Sequence, residues 1–247
     1  MSSKNSKILK FVKKYPWFIN IYLFYNVYIR NYKFYFNNSQ FGEEKKILKH
    51  FSNNYKGRFV DLGCFHPTRQ NNTFKMYRSG WRGLNIDLNQ LTIDLFNFTR
   101  PKDVNICAAI SNTNSIKKLY YLGDLASQNS IEKEHTNFLK KHFGFSSRDI
   151  KVKKVKTKKL GDILEKLKFY KIDFMNIDIE GHELKVLKSL NFKKFDIKII
   201  CIEILNHDKF SKIRKAKVLK FFKKQGYILK DKSVINYIFK KADKKLT

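Results

Sequence analysis

Two short apolar runs in this chain end in acids at positions suited to holding a charged small molecule. The first closes as Phe59-Val-Asp-Leu-Gly-Cys-Phe-His-Pro67 and the second as Asn85-Ile-Asp87. A diphosphate-binding turn would need GxGxxG after the first run, so that backbone amides and a helix N-terminus could cradle the phosphates. Here a single Gly follows an Asp by two residues and precedes a Pro by four, which is wrong for a diphosphate. Asp61 followed by a close-approach Gly63 suits a cofactor whose head is cationic, such as a sulfonium carrying an ammonium group. Asp87 stands where a carboxylate can accept both hydroxyls of a ribose. Singly, Asp61 could be a turn residue and Asp87 a helix cap; together they form the pattern of an S-adenosylmethionine site.

A second cluster carries the chemistry of transfer. A later run exits as Asp178-Ile-Glu-Gly-His-Glu183 into a helix with Leu184, Leu187 and Leu190 on its buried side, and the next ends Cys201-Ile-Glu203, with Asn206 and His207 just beyond. The positive end of the helix is expected to hold Glu180 as a carboxylate, although acids in a first turn are also ordinary helix starters. His66, Asp178, Glu180, His182, Glu203 and His207 are expected to converge on one rim. Transfer of a sulfonium methyl to a nucleophile is an in-line displacement, and a base within hydrogen-bond reach contributes about 10²–10⁴-fold. Glu180 or His182 is the expected base. Asp178 is expected to orient substrate or cofactor amine, while Glu203 and His66 bind the acceptor. A divalent cation is the alternative occupant, but D-x-E-x-H without a second anchored motif is not diagnostic, and no metal is assigned.

Such residues need a parallel sheet to bring them together, because ligands bind beyond the carboxyl ends of its strands. From Arg58 onward, apolar runs at 58–63, 83–87, 104–110, 172–178 and 198–204 alternate with helix-like stretches near 72–79, 90–98, 159–169 and 182–190. That rhythm implies βαβ units. Residues 213–224 read as a helix, followed by strands at 226–230 and 234–240 joined through Asp231-Lys232-Ser233. The expected architecture is an open, doubly wound, mostly parallel α/β sheet closed by a C-terminal antiparallel hairpin. Residues 1–57 form an aromatic-rich helical extension and 58–247 the main domain. Extra strands at 119–123 and 150–155 flank a polar insert, Asp124–Asp149, expected to shape a substrate site. The Lys/Val alternation of 151–159 predicts a strand with one solvated face.

Phe59–Pro67, then Asn71-Asn-Thr73, Gly80-Trp-Arg-Gly-Leu-Asn-Ile-Asp-Leu-Asn89, and Ile172-Asp-Phe-Met-Asn-Ile-Asp-Ile-Glu-Gly-His-Glu-Leu-Lys-Val-Leu187 resemble, in that order, the FkbM family of S-adenosylmethionine-dependent methyltransferases. The resemblance covers roughly residues 58–240. It implies a class I methyltransferase (Rossmann-like) fold and O-methylation of hydroxyls on sugars, glycans or secondary metabolites. It also implies that Asp61 and Gly63 face the methionine part, Asp87 the ribose, Asn72 the cofactor from the start of the next helix, and Ala108 the adenine. Ala108 is equally readable as a buried strand residue. Asn71 stands where relatives usually have Ser, and His66-Pro67 replaces a glycine-rich continuation.

Composition bounds the alternatives. The 247 residues are 43 % hydrophobic and 15 % aromatic with few Pro and Gly, which excludes disordered and collagenous classes. Lys+Arg number 52 against 21 Asp+Glu, a net +31. The excess is spread along the chain and only eight of the 52 are Arg, whereas base readout favours the Arg fork. A solvated surface shaped by an AT-rich genome and an anionic partner both fit this charge. A nucleic-acid (RNA) methyltransferase is one alternative function, though the Asn/Asp-Pro-Pro-aromatic motif used on flipped bases is absent. A non-catalytic membrane-surface protein with a vestigial methyltransferase fold is another. Three cysteines, Cys64, Cys107 and Cys201, offer no disulfide framework, which suits a reducing cytoplasm. The stretch 15–29 is shorter than the ~20 residues of a spanning helix. Phe18, Tyr22, Tyr25 and Ile29 share a helical face flanked by Lys13, Lys14, Arg30 and Lys33, so residues 15–36 either pack on the domain, the favoured reading, or make peripheral contact with an anionic membrane.

Overall fold

The computed structural model describes residues 15–36, 39, 41–124, 126–204 and 211–243; Lys13, Lys14, Asn206 and His207 lie outside them. A 3₁₀ turn at Pro16–Phe18 leads into helix α1 (Ile19–Phe24), a π turn at Tyr25–Arg30 and a second 3₁₀ turn at Tyr32–Tyr35. Helix α2 (Glu43–Leu48) precedes strand β1 (Arg58–Leu62), helix α3 (Phe74–Arg78), β2 (Arg82–Asp87), α4 (Gln90–Thr99) and β3 (Val104–Cys107). Then come β4 (Ala109–Ser111), β5 (Ile116–Tyr121), α5 (Lys133–Phe143), β6 (Lys151–Lys159), α6 (Leu160–Lys166) and β7 (Lys171–Ile177). Helix α7 (Glu183–Ser189), β8 (Asp196–Glu203), α8 (Ser211–Lys224), β9 (Tyr227–Lys232) and β10 (Asn236–Lys241) follow among the described residues.

Seven strands form one sheet in the order β3-β2-β1-β7-β8-β10-β9. The first five are mutually parallel, and β10 runs antiparallel to both β8 and β9. This is the doubly wound sheet with a terminal hairpin that the alternation predicts. Both faces are buried, which is why the strands read as unbroken apolar runs. Successive side chains alternate across the sheet: Val60, Leu62, Met175, Ile177, Ile200 and Ile202 pack with Leu164, Leu187 and Phe222. Phe59, Phe174, Ile199 and Cys201 point the other way, against Ile47, Met76 and Trp81.

Three expectations are corrected. Residues 104–110 are not one strand. Ala108 donates its N–H to the Asp87 carbonyl at 2.8 Å, and the chain then leaves the main sheet as β4, which pairs with β6 in a small sheet of order β4-β6-β5. Strand β6 is solvated on both faces rather than one, with Thr157 its single buried residue and Val152 59 % exposed. Its backbone is satisfied by β4 and β5, so it needs no apolar cover. The hairpin turn follows Lys232, closed by the Ser233 N–H donating to the Asn236 carbonyl at 2.8 Å.

The expected N-terminal stripe splits. Tyr22 is buried beside Leu23 and Val27 against Leu91 and Leu95 of α4, whereas Tyr25 and Ile29 are exposed. Among the described residues, no helix is long and apolar enough to cross a membrane. Cys64 and Cys201 are buried, Cys107 is exposed, and all three are free.

Candidate active site

A cavity of about 410 Å³ opens beyond the carboxyl ends of β1, β2, β7 and β8. Asp61, Gly63, Asn72, Asp87, Ala108, Asp178, Glu180, His182 and Glu203 all line it. The insert supplies another wall, including Ser130, His135 and Phe138. Its size lies in the usual range of small-molecule sites.

Asp61, next to last in β1, is completely buried, and its carboxylate is held on both oxygens. Asn71 and Thr73 donate to Oδ2 at 3.2 and 2.8 Å, and Asn176 donates to Oδ1 at 2.9 Å. Burial still pushes its pKa up. Asn72 donates to Asn176 at 3.0 Å, which ties the same loop to β7. Arg100, fully buried at the end of α4, donates at 2.8 Å to both Thr73 Oγ1 and Asn71 Oδ1, and also to the Pro67 carbonyl. The Asn71-Asn-Thr73 segment is thus a clamp from Arg100 to Asp61. Sequence reasoning missed Arg100; the available signal was an Arg where Lys is the default cation.

Gly63 has φ +73°, and a Cβ there would lie 1.7 Å from the Asp178 carbonyl oxygen. Neighbouring backbone, before any ligand, explains this glycine. Asp87 accepts N–H donations from Phe65 at 3.1 Å and Asn89 at 2.8 Å. Burial raises its pKa to about 6. Its remaining lone pairs are left for further donors.

At the other end, Asp178, Glu180 and Glu203 bring carboxylate oxygens within 4.8 Å of one another, close enough to hold a divalent cation or share protons. Burial, then the neighbouring acids, raises Glu180 and Glu203 well above the ordinary range. The expected helix-stabilised Glu180 carboxylate is therefore corrected: the seven-residue α7 cannot offset burial beside Asp178 and Glu183. A side-chain hydrogen bond joins Glu203 and Asp178, raising Glu203 further and opposing the upward push of burial on Asp178. Glu180 itself adopts a left-handed backbone, φ +54°, a strain typical of functional positions. Glu183, raised to about 7 by burial, accepts the N–H groups of Ile179 and Gly181 at 3.1 and 2.9 Å and so holds this turn.

Neither histidine occupies its expected role. His66 is buried outside the cavity lining. Its Nδ1 accepts the N–H groups of Thr68 and Arg69 at 3.2 and 3.1 Å, and its Nε2 faces Asn31 at 3.4 Å. Burial, with Arg69 and Arg100 nearby, takes its pKa down to about 3, so it is a neutral loop staple rather than an acceptor ligand. His182 lines the cavity, but both ring nitrogens are engaged, Nδ1 by Glu132 and Nε2 by Ser111 Oγ at 2.9 Å. No ring nitrogen is left to take a substrate proton. His135, which the sequence did not single out, puts Nε2 3.5 Å from Glu180 Oε2. Burial lowers its pKa to about 4.

A family model described as a methyltransferase FkbM domain matches residues 31–229. No curated protein matches the chain. Similar solved structures include a METTL16 MTase domain, 12 % identical over 82 % of this chain and 66 % of that one, with a TM-score of 0.42. Another is a precorrin-6y C5,15-methyltransferase from Geobacter metallireducens GS-15, 10 % identical over 79 % and 86 %, with a TM-score of 0.37. The chain spans just under two thirds of the METTL16 domain structure. Likeness at those scores bears on nothing at the site; the fold class rests on the strand order and the family match.

Proposed function

The chain belongs to the FkbM family of methyltransferases, and from that premise we propose that it methylates a hydroxyl of a sugar, glycan or secondary metabolite with S-adenosylmethionine as donor. What carries the reading is the charge of the cavity. Asp61, Asp87, Asp178, Glu180 and Glu203 line it, and among the described residues no Lys or Arg does, in a chain with 52 of them. A site of that sign attracts a cationic ligand and repels phosphates. Asp87, with lone pairs left after its two backbone contacts, suits a ribose diol, so the donor set fits this cofactor. When bound, S-adenosylmethionine supplies a methyl group on a sulfonium that departs as a neutral thioether.

This chain's residues then have three tasks. Asp87 and the Asp61 loop bind and orient the donor. Glu203 holds the acceptor hydroxyl and Asp178 orients it. Glu180 takes the hydroxyl proton, because His182 has no free nitrogen. A carboxylate of raised pKa is a stronger proton acceptor once ionised, and a positive charge in the cavity favours its ionised form.

Calorimetric titration with S-adenosylmethionine tests the first task. Micromolar binding is expected, weakened at least about tenfold in Asp87→Ala. No heat from the folded wild-type chain removes the reading. Transfer of labelled methyl to polyol and sugar acceptors, as an alkali-stable ether, tests the rest, with Glu180→Gln expected to lose turnover by about 10²-fold or more while retaining donor binding.

A further inference from the structure

The outer face of the N-terminal segment is an apolar feature that catalysis does not use. Its inner side is spent on α4, through Tyr22, Leu23 and Val27. The outer side shows Trp17, Ile21, Phe24, Tyr25 and Ile29 at helical spacing, with Phe36 beyond; exposure is 68 % at Trp17, 60 % at Ile21 and 86 % at Phe36. Monomeric soluble proteins rarely leave large side chains clustered in this way, and such patches mark interaction surfaces.

Charge identifies the kind of partner. Residues 1–42 contain seven Lys and Arg and no Asp or Glu. Arg30 and Lys33 lie within the exposed segment, and the Arg69 and Arg78 guanidinium groups sit over Phe34 and Tyr35, 6.0 and 5.2 Å from the ring centroids. We propose that this face docks on an anionic lipid bilayer, its aromatic side chains entering the headgroup region and its basic rim meeting lipid phosphates. Trp and Tyr are suited to that boundary because each pairs an apolar ring with a polar tip. An apolar face with a basic rim is the pattern of a helix lying in the interface. A second copy of the chain is a poorer occupant, since joining the faces would oppose two like-charged rims on molecules of net +31. The run from Ile19 to Arg30 is also too short to span a bilayer, which needs about 20 residues.

The docked segment is mounted on the cavity rim. Asn31 meets His66 at 3.4 Å, and Arg69 stacks over Phe65, whose N–H donates to Asp87. Docking would therefore fix the orientation of the cavity relative to the lipid surface.

The chain contains a built-in probe. It has two tryptophans, Trp17 exposed and Trp81 1 % exposed, so a change in emission on adding vesicles reports Trp17. The full chain is mixed with phosphatidylcholine vesicles with and without phosphatidylglycerol, and co-sedimentation is measured beside the fluorescence. A blue shift and sedimentation only with phosphatidylglycerol are expected. The triple variant Trp17→Ser, Ile21→Ser, Phe36→Ser, with an unchanged thermal melt, should lower partitioning at least about tenfold. Lys33→Gln should lower it about fivefold. Absence of vesicle binding overturns the proposal, as does equal binding to phosphatidylcholine alone. Undiminished binding by the triple variant overturns it too, by assigning the affinity to the general lysine surface. A doubled mass in light scattering that the triple variant abolishes assigns the face to a second copy instead.

Discussion

Replacing Asp87 with Asn should change how stability responds to pH, by an amount that can be worked out. Burial lifts the Asp87 pKa from its ordinary 3.8 to about 6, with smaller pushes from Asp61 and Asp178. A carboxyl whose pKa is higher folded than unfolded binds its proton more tightly in the native state. Native stability therefore falls as pH rises through the window from 3.8 to about 6, and the loss is complete above it. Roughly two units correspond to about 3 kcal/mol, an upper bound because the side chain keeps some surface on the cavity. Asn escapes that cost but offers one acceptor oxygen to two N–H groups, a loss of about 1–3 kcal/mol at every pH. At any one pH the two effects can cancel, so the informative quantity is the difference between two. From about pH 5 to about pH 8 the wild type should lose about 1.4 kcal/mol more than the variant. Urea unfolding followed by tryptophan fluorescence, at both pH values for both proteins, measures this directly. A variant-minus-wild-type difference that is the same at both, or that moves against the variant at the higher pH, refutes burial as the cause of the shift.

Other perturbations follow from single contacts. Arg100→Met removes the donor clamping Asn71 and Thr73 beneath Asp61 and should cost about 3–5 kcal/mol in denaturant unfolding; a cost under about 1 kcal/mol would show the clamp to be dispensable. Gly63→Ala forces a Cβ to 1.7 Å from the Asp178 carbonyl oxygen, so little folded protein should accumulate. Gly181→Ala, whose Cβ would have no neighbour nearer than 3.9 Å, should cost only the about 1–2 kcal/mol of left-handed backbone, and equal damage from both would contradict this contrast. Glu132 is pushed up by burial, but its His182 and Lys185 hydrogen bonds outweigh that and bring it down to about 2. Its contribution is present above the ordinary 4.5 and lost as pH falls towards 2. At neutral pH, Glu132→Ala should raise hydrogen exchange across residues 133–143 with donor affinity unchanged, and unaltered exchange would mean that the insert is held elsewhere.

What the sequence reveals is decided by whether the cause is local. The ends of β1, β2, β7 and β8 are legible because a strand buried on both faces reads as an apolar run, and an acid at its end marks where burial stops. The break at Ala108 is not legible. Both halves of 104–110 are apolar, and the choice between sheets is made by pairing with β6, whose Thr157 meets Ala109 from far along the chain. The ionisation of Glu180 is likewise non-local: the first turn of α7 argues for a carboxylate, but Asp178 and Glu203 arrive from two strands to argue against one. His135 was hidden in a polar stretch with no periodic signal for its orientation. Exposure of Tyr25 and Ile29 beside buried Tyr22 could not be read from an α-helical period, since the chain changes to a π turn at Tyr25.

The insert is clasped near its root to the turn that carries Glu180. Tyr120 bridges to Ser130, Ser130 Oγ donates to the Glu180 carbonyl at 2.9 Å, and β5 and β6 pair with each other outside the main sheet. Lengthening a loop whose ends are already clasped costs little, roughly 0.6 kcal/mol per doubling. A segment of different length carrying His135 and Phe138 can therefore be seated on the same clasp, which reshapes that part of the cavity lining while leaving the Asp61–Arg100 clamp in place.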